Sequence, residues 1–199
     1  ELQGEPCIPL DEAPPARKGM AVTRSAGAPM RDMETVLSAL AAQATRAAEK
    51  LRQHRMVAGT MTVFYHTSWF SAGKPQFAAS RSVRLTPMTS DTRDLVRAVR
   101  ACVEASWPQR GGSYAFAKSG VMLDDLVTEA DRPRTLFDVA DERSGRSPAV
   151  MAALDAVNAR FGKKTMVLAS EGTSRAWAMR AEHRSPRYTT RISDLPVVR

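Results

Sequence analysis

The sequence predicts an α+β fold in which a four-stranded antiparallel sheet carries two helices on one face, followed by a small α+β C-terminal domain. Some segments have apolar and polar residues in alternation, as in strands, and others have apolar residues at helical spacing. They follow one another in the order β-α-β-β-α-β. A charged stretch containing Pro133 and Gly145 then separates this unit from a further amphipathic segment. With both helices on one side, the other face of the sheet is open to a partner.

These patterns divide the 199 residues into four segments. Residues 1–19 contain four prolines and no sustained period, which predicts a linker. The sheet domain is expected over residues 20–127, a flexible tether over 128–146, and the C-terminal domain over 147–199. Because residue 1 is Glu rather than Met, we expect the linker to lead from a part of the protein that lies upstream.

The first half of the sheet domain is predicted as strand, helix and strand. Residues 21–25 form the first strand, which should end at Gly27 and Pro29. Asp32 offers an N-cap for a long helix that continues to about Arg55. Residues 59–68 then alternate as a strand with both faces partly covered.

The second half repeats the order with a third strand over residues 77–86, a second helix and a fourth strand over 114–126. Ser90 is the expected cap of the second helix, and Pro108 its end. In the C-terminal part, Ser147 is expected to cap a helix that ends at Gly162, with a short strand over residues 165–169 after it.

Charge indicates the kind of partner. A formal charge of +8 and a pI near 10.1 favour a polyanion such as nucleic acid. Because no apolar run is long enough to cross a bilayer, we expect no membrane partner and a cytoplasmic protein. Aromatic residues make up only 6% of the chain, so no large stacking platform is expected.

Catalytic and metal-binding groups are not expected in this chain. Asp124 and Asp125 are adjacent, but no third carboxylate or phosphate-binding loop accompanies them, so a solvated strand end explains them better than a two-metal site. His54, His66 and His183 lack zinc-ligand spacing. We therefore predict no cofactor.

Polar residues of the strands are the candidates for DNA contact. Alternation places Arg24, Ser80, Ser82 and Arg84 on faces that look away from the helices. Ser25 and Arg81 have the other parity and would need a strand end or a bulge to join them. Hydroxyls and guanidinium groups on a sheet can follow a sugar-phosphate backbone without reading bases, although a merely soluble sheet face has the same pattern.

Several sequence blocks resemble one protein family. They are Arg24-Ser25-Ala26-Gly27, Ala47-Ala48-Glu49-Lys50-Leu51-Arg52, Lys118-Ser119-Gly120-Val121-Met122-Leu123, Phe161-Gly162-Lys163-Lys164-Thr165 and Arg184-Ser185-Pro186-Arg187-Tyr188-Thr189-Thr190-Arg191. In this order they resemble the back part of the UmuC type of Y-family DNA polymerase, the catalytic subunit of error-prone DNA polymerase V. Alanine at position 26 departs from the family's usual phenylalanine.

The resemblance implies a noncatalytic C-terminal fragment of a DNA-directed DNA polymerase that acts in translesion synthesis during the SOS response to DNA damage. Residues 20–127 would be the little finger, the domain that grips primer-template DNA, damaged DNA included. Its DNA-binding residues would be Arg24, Ser25, Ser80, Arg81, Ser82 and Arg84. The catalytic carboxylates of the parent enzyme would lie outside this chain.

The resemblance also implies protein partners. In the tether, Leu136 and Phe137 resemble the end of a sliding-clamp-binding motif, with Pro133 where glutamine is usual; the pair could instead pack back on the domain. The C-terminal extension would contact the processed UmuD dimer, the recombinase RecA, or both. Candidate contact residues are Trp177, Arg187, Tyr188 and Arg191, although the core is the better interpretation for either Trp177 or Tyr188 taken singly.

Two other functions remain open from sequence. The chain could be an independent DNA- or RNA-binding module, which its charge favours. Alternatively, it could be a protein-interaction adaptor that contacts UmuD, RecA or the sliding clamp and binds little DNA of its own.

Overall fold

The structure is a computed structural model that describes Gly4, Cys7 and residues 16–71, 73–109, 113–133, 142–173, 175–179 and 184–195, with the backbone alone for 142–146. The predicted Leu136–Phe137 motif lies outside these residues. No helix among them is long and apolar enough to cross a membrane.

Four antiparallel strands form one sheet. They are β1 (Gly19–Met30), β2 (Met56–Thr67), β3 (Ala78–Thr89) and β4 (Phe116–Thr128), and they lie in the order β1-β4-β2-β3. The predicted fold class is confirmed. Each strand differs by a few residues from its predicted bounds, and β1 continues past Gly27 and Pro29 through a shift in its register with β4.

Two helices cover one face of this sheet. α1 (Met33–Gln53) begins at the predicted cap, where the Asp32 carboxylate accepts from the Thr35 backbone N–H. This bond is the main reason that the pKa of Asp32 lies below its ordinary value. α2 (Thr92–Ser106) is capped by Asp91 rather than by Ser90, because the Asp91 carboxylate accepts from the Arg93 N–H while the Ser90 carbonyl accepts from Arg52.

The core lies between the sheet and these helices. In β2 the side chains of Met61, Val63 and Tyr65 are buried, as their alternation predicts, and they pack with Leu40, Leu51, Leu95 and Phe116. Gln43 of α1 is buried as well, and its side-chain amide donates to Ser119 Oγ of β4 at 2.8 Å. The opposite parity of each strand faces away from the helices.

The helix of the C-terminal part, α3 (Glu142–Phe161), begins before the predicted cap at Ser147, and Pro148 lies inside it. Ser147 therefore lies inside this helix rather than at its cap, and its hydroxyl donates to Asp91, at the start of α2. Burial raises the pKa of Asp91, but bonds from Arg93 and Ser147 outweigh that effect, so the pKa lies below its ordinary value. A second link joins Asp155 of α3 to Arg52 of α1 through two hydrogen bonds of 2.7 and 2.8 Å.

After α3 the chain returns to α1. The strand predicted over residues 165–169 is wrong: this segment is irregular and leads into a short 3-10 helix, Ala169–Glu171. Met166 pairs with the Asn158 side chain of α3 instead of with a strand. Further on, Trp177 is only 7% exposed, joins the core, and donates from Nε1 to Ser38 Oγ of α1 at 3.1 Å.

Candidate nucleic-acid interface

The face of the sheet that the helices leave uncovered, here called the open face, is built from small and polar side chains. The cross-strand register places Ser25, Lys118, His66 and Ala78 in one row, and Gly19, Asp124, Thr60 and Arg84 in another. The two rows between them consist of Thr23, Gly120, Phe64 and Ser80, and of Ala21, Met122, Thr62 and Ser82. This face therefore combines small side chains with longer ones such as Lys118, Arg84, Phe64 and Met122.

Four of the six predicted DNA-contact residues share the open face, namely Ser25, Ser80, Ser82 and Arg84. The parity predicted for β1 is wrong, because Arg24 has the parity of buried Val22 and lies on the helix side, while Ser25 lies on the open face. No bulge is needed to bring Ser25 there.

Arg81 lies on the helix side, as its parity indicates, next to Val63 of β2. Its guanidinium donates to the Ala105 carbonyl at 3.2 Å, near the end of α2. A cation in this position interacts favourably with the helix dipole. The role that the structure gives to Arg81 is therefore a contact with α2 rather than with a ligand on the open face.

Arg24 takes part in a positively charged edge along β1. An open cavity of about 610 Å³ runs along this strand, and Arg24, Arg46 and Lys50 line it together with Lys118 from the open face. Burial, together with the nearby guanidinium groups of Arg175 and Arg24, lowers the pKa of Lys164, which belongs to the segment after α3. The positive potential of the open face thus continues around the β1 edge.

Carboxylates lie at the other end of the open face. Asp124 pairs in register with Thr60, and Asp125 accepts from the Thr60 hydroxyl at 2.5 Å. Among the residues that the structure describes, no group of three or more His, Cys, Asp or Glu side chains could hold a metal ion. The open face is therefore basic at the Lys118 end, whereas at the other end the two carboxylates lie near the row that contains Arg84.

A row of aromatic rings on the open face was not predicted. Phe64 and His66 of β2 stack at 6.3 Å between ring centroids, and His66 stacks on Trp69 at 5.9 Å. The low aromatic content argued against a stacking platform. The signal was present nonetheless: the alternation of β2 gives Phe64 and His66 one face, and Trp69 and Phe70 follow in the next turn.

The candidate partner residues of the C-terminal part separate into two groups. Trp177 belongs to the core, and its carbonyl accepts from the Gly27 N–H of β1 at 3.0 Å. Arg187, Tyr188 and Arg191 lie in an exposed turn, where the Asp194 carboxylate accepts from the Arg187 N–H at 3.1 Å. Only the second group can meet a partner without unfolding.

Two known protein families match this chain. The impB/mucB/samB family C-terminal domain matches residues 17–136, and a domain of unknown function, DUF4113, matches residues 148–198.

Characterised relatives match almost the entire chain. It is 40% identical over 195 residues to Protein UmuC of Salmonella typhimurium strain LT2, which covers 98% of this chain and 45% of that protein. It is 37% identical over 197 residues to Protein MucB of Salmonella typhimurium, and this match covers 99% of this chain and 45% of that protein. The chain therefore spans about half the length of these relatives.

Solved structures give more distant matches. One is the insertion ternary complex of Dbh DNA polymerase, with a TM-score of 0.39, 13% identity, and 55% of this chain and 29% of that one covered. Another is the complex of the beta-clamp processivity factor and the little finger domain of PolIV, with a TM-score of 0.38 and 15% identity. This match covers 60% of this chain and 98% of that one.

Proposed function

The chain belongs to the impB/mucB/samB family of UmuC-like proteins, and from that membership we propose that it grips primer-template DNA as the noncatalytic C-terminal part of an error-prone Y-family polymerase. The parent protein would be the DNA-directed DNA polymerase and would supply the catalytic carboxylates. Translesion synthesis during the SOS response is the setting that this family membership favours.

The open face carries this proposal. It presents Ser25, Ser80 and Ser82 with the cations Arg84 and Lys118, and this combination offers hydrogen bonds and charge to phosphates. Contacts of these side chains with phosphates carry no information on base sequence. We therefore expect binding that depends strongly on salt and little on base sequence.

Binding to labelled primer-template DNA, measured by fluorescence anisotropy over a salt series, tests the proposal. Replacing Arg84 and Lys118 together by alanine should weaken binding similarly for all base sequences. Each phosphate contact that is lost should lower the slope of log K against log salt by about 0.9, so the double variant should lose up to about 1.8.

The matched control replaces Arg97 and Arg100 on the solvent side of α2 by alanine. These side chains are 72% and 63% exposed and, within the described part of the chain, pair with Asp94 and Glu104 of their own helix, so their loss should change stability little. The control removes the same two charges from the face opposite the sheet surface. Equal slopes for the two double variants would move the DNA-binding face away from the open face.

Protein partners form the second part of the proposal. The exposed turn with Arg187, Tyr188 and Arg191 supports a contact of the extension with the processed UmuD dimer or with RecA, because nearby Ile192 is 87% exposed and Tyr188 is 48% exposed. A sliding clamp would bind the tether through Leu136 and Phe137. These contacts would leave the open face available to DNA.

A further inference from the structure

The row of rings formed by Phe64, His66 and Trp69, here called the ring row, consists of nearly parallel rings. The planes of Phe64 and His66 differ by 15°, and those of His66 and Trp69 by 23°. Phe70 follows in the β2–β3 turn and is 97% exposed, while Trp69 is 64% exposed. The rings of Trp69 and Phe70 are therefore presented to solvent at one end of the open face.

The ring row is held in place by the sheet. The Phe64 ring lies against Gly120 of β4 so closely that a Cβ atom at position 120 would come within 2.4 Å of it. The His66 ring is fixed by a hydrogen bond of 2.7 Å between Nδ1 and the Thr67 carbonyl. Because both rings are already ordered, the protein loses little further side-chain entropy when a planar ligand stacks on them.

The surroundings of the ring row are basic. Lys118 pairs in register with His66, and exposed Lys74 lies in the same turn as Trp69. No Asp or Glu occurs in residues 64–90 and 105–123, which include this turn, β3 and most of β4. A negatively charged ligand that also carries planar aromatic groups fits this end of the sheet.

We propose that the ring row is a stacking site for the unpaired bases of single-stranded DNA, with Lys118 and Lys74 contacting the phosphates beside them. Stacking on aromatic side chains is tolerant of sequence, because every base has a π face. Bases inside a duplex are already stacked on their neighbours and cannot offer that face. The inference rests on the proposed DNA contact of the open face and extends it to the single strand beyond the duplex.

The test compares a twelve-residue oligothymidylate with a twelve-base-pair duplex, each labelled and titrated with the full chain by fluorescence anisotropy. Trp69→Leu keeps an apolar side chain in the turn but removes the largest ring. Its affinity for the oligothymidylate should fall about tenfold, while its affinity for the duplex stays within about twofold of the unchanged protein. Oligothymidylate should also quench tryptophan fluorescence in the unchanged protein and not in the variant.

Phe161→Leu is the matched control, because Phe161 on α3 is 65% exposed and lies outside the ring row. It should change neither affinity. Phe70→Ser is a second variant. The Phe70 side chain adjoins Trp69 in the same turn and is 97% exposed, so its removal should leave the fold intact and weaken oligothymidylate binding selectively, as a ring beside the ring row.

Three results would overturn the inference. Equal oligothymidylate affinity of Trp69→Leu and the unchanged protein would mean that the rings do not stack on bases. Duplex binding without any oligothymidylate binding would remove the single-strand site and leave the proposed DNA grip intact. Binding to neither ligand would contradict the proposed DNA grip itself, and the exposed rings would then favour docking of a protein.

Discussion

At the scale of single residues, the buried polar pair Gln43–Ser119 joins α1 to β4 of the sheet. Both side chains are almost completely buried, at 2% and 1% exposure, and the Gln43 amide donates to the Ser119 hydroxyl. Because a buried donor that loses its acceptor cannot turn to water, the cost of breaking this pair exceeds the small net value of an ordinary hydrogen bond.

Ser119→Ala should therefore lower the free energy of unfolding by about 1–3 kcal/mol, whereas Gln43→Leu combined with Ser119→Ala should return it to within about 1 kcal/mol of the unchanged protein. Urea unfolding followed by circular dichroism measures both values. Ser82→Ala is the control, since it removes a hydroxyl pair with Thr62 on the exposed face and should cost no more than about 0.5 kcal/mol. A double variant as unstable as the sum of the single ones would show that the pair is not coupled.

The sequence predicted the face that each residue occupies better for β3 than for β1. In β3, Val83 alternates with Ser82 and Arg84 so clearly that only one face can be buried. In β1 the residues Thr23, Arg24 and Ser25 are all exposed, so no alternation of buried and exposed side chains distinguishes the two faces of the strand there. Since β1 is an edge strand, a long side chain on its helix side can reach solvent, and Arg24 does so.

At the scale of elements, the contact between the C-terminal part and α1 is the feature that the sequence did not specify. Trp177 enters the core, Ser38 Oγ accepts from its Nε1, and the same hydroxyl donates to the Glu171 carbonyl at 2.6 Å. One serine of α1 thus connects two turns of the later chain. Local patterns contain no information on such pairing because its partners lie more than 130 residues apart.

Replacing Trp177 should consequently destabilise the sheet domain itself. Trp177→Ala should lower the free energy of unfolding by about 3–5 kcal/mol through the cavity that it leaves. Trp177→Phe retains most of the packing and loses the bond to Ser38, which costs about 1 kcal/mol. Met179→Ala is the control, because Met179 is 60% exposed two residues further on. Equal stability of Trp177→Ala and the control would mean that the C-terminal part does not support the core.

The cap of α2 and the absent strand after α3 have related explanations. Ser90 and Asp91 are both good caps by type, and only the tertiary contacts of Arg52 and Ser147 decide between them. Residues 165–169 have the apolar content of a strand, but the backbone of Met166 bonds to the Asn158 side chain of α3 instead of to a sheet strand. Element type was predictable where periodicity extends over many residues, as in α1 and β2.

At the scale of the whole molecule, the family was the most reliable prediction. The positive charge of +8 does not spread evenly: Arg24, Arg46, Lys50 and Lys118 gather around β1, while Asp124 and Asp125 lie at the opposite end of the open face. The UmuC-type family predicted from sequence blocks is confirmed by the match over residues 17–136. The domain bounds and the individual contact residues stay predictions.

This arrangement separates the proposed DNA contacts from the proposed clamp contact along the chain. DNA would meet the open face, whose residues lie between Gly19 and Asp124, whereas Leu136 and Phe137 follow β4 in sequence. Since Leu136 and Phe137 have neither a charge nor a side-chain donor for a phosphate, they should add nothing to the electrostatic part of DNA affinity.

Leu136→Ala combined with Phe137→Ala should therefore abolish binding to the sliding clamp and leave DNA affinity unchanged, because the apolar pair would be the anchor in the clamp pocket. Surface plasmon resonance with immobilised clamp, together with the anisotropy salt series on the same variant, measures both. Val150→Ala, an exposed apolar residue on α3, should change neither. Retention of clamp binding by the double variant would contradict the clamp assignment, and a parallel loss of DNA affinity would mean that the pair packs back on the sheet domain and supports its fold.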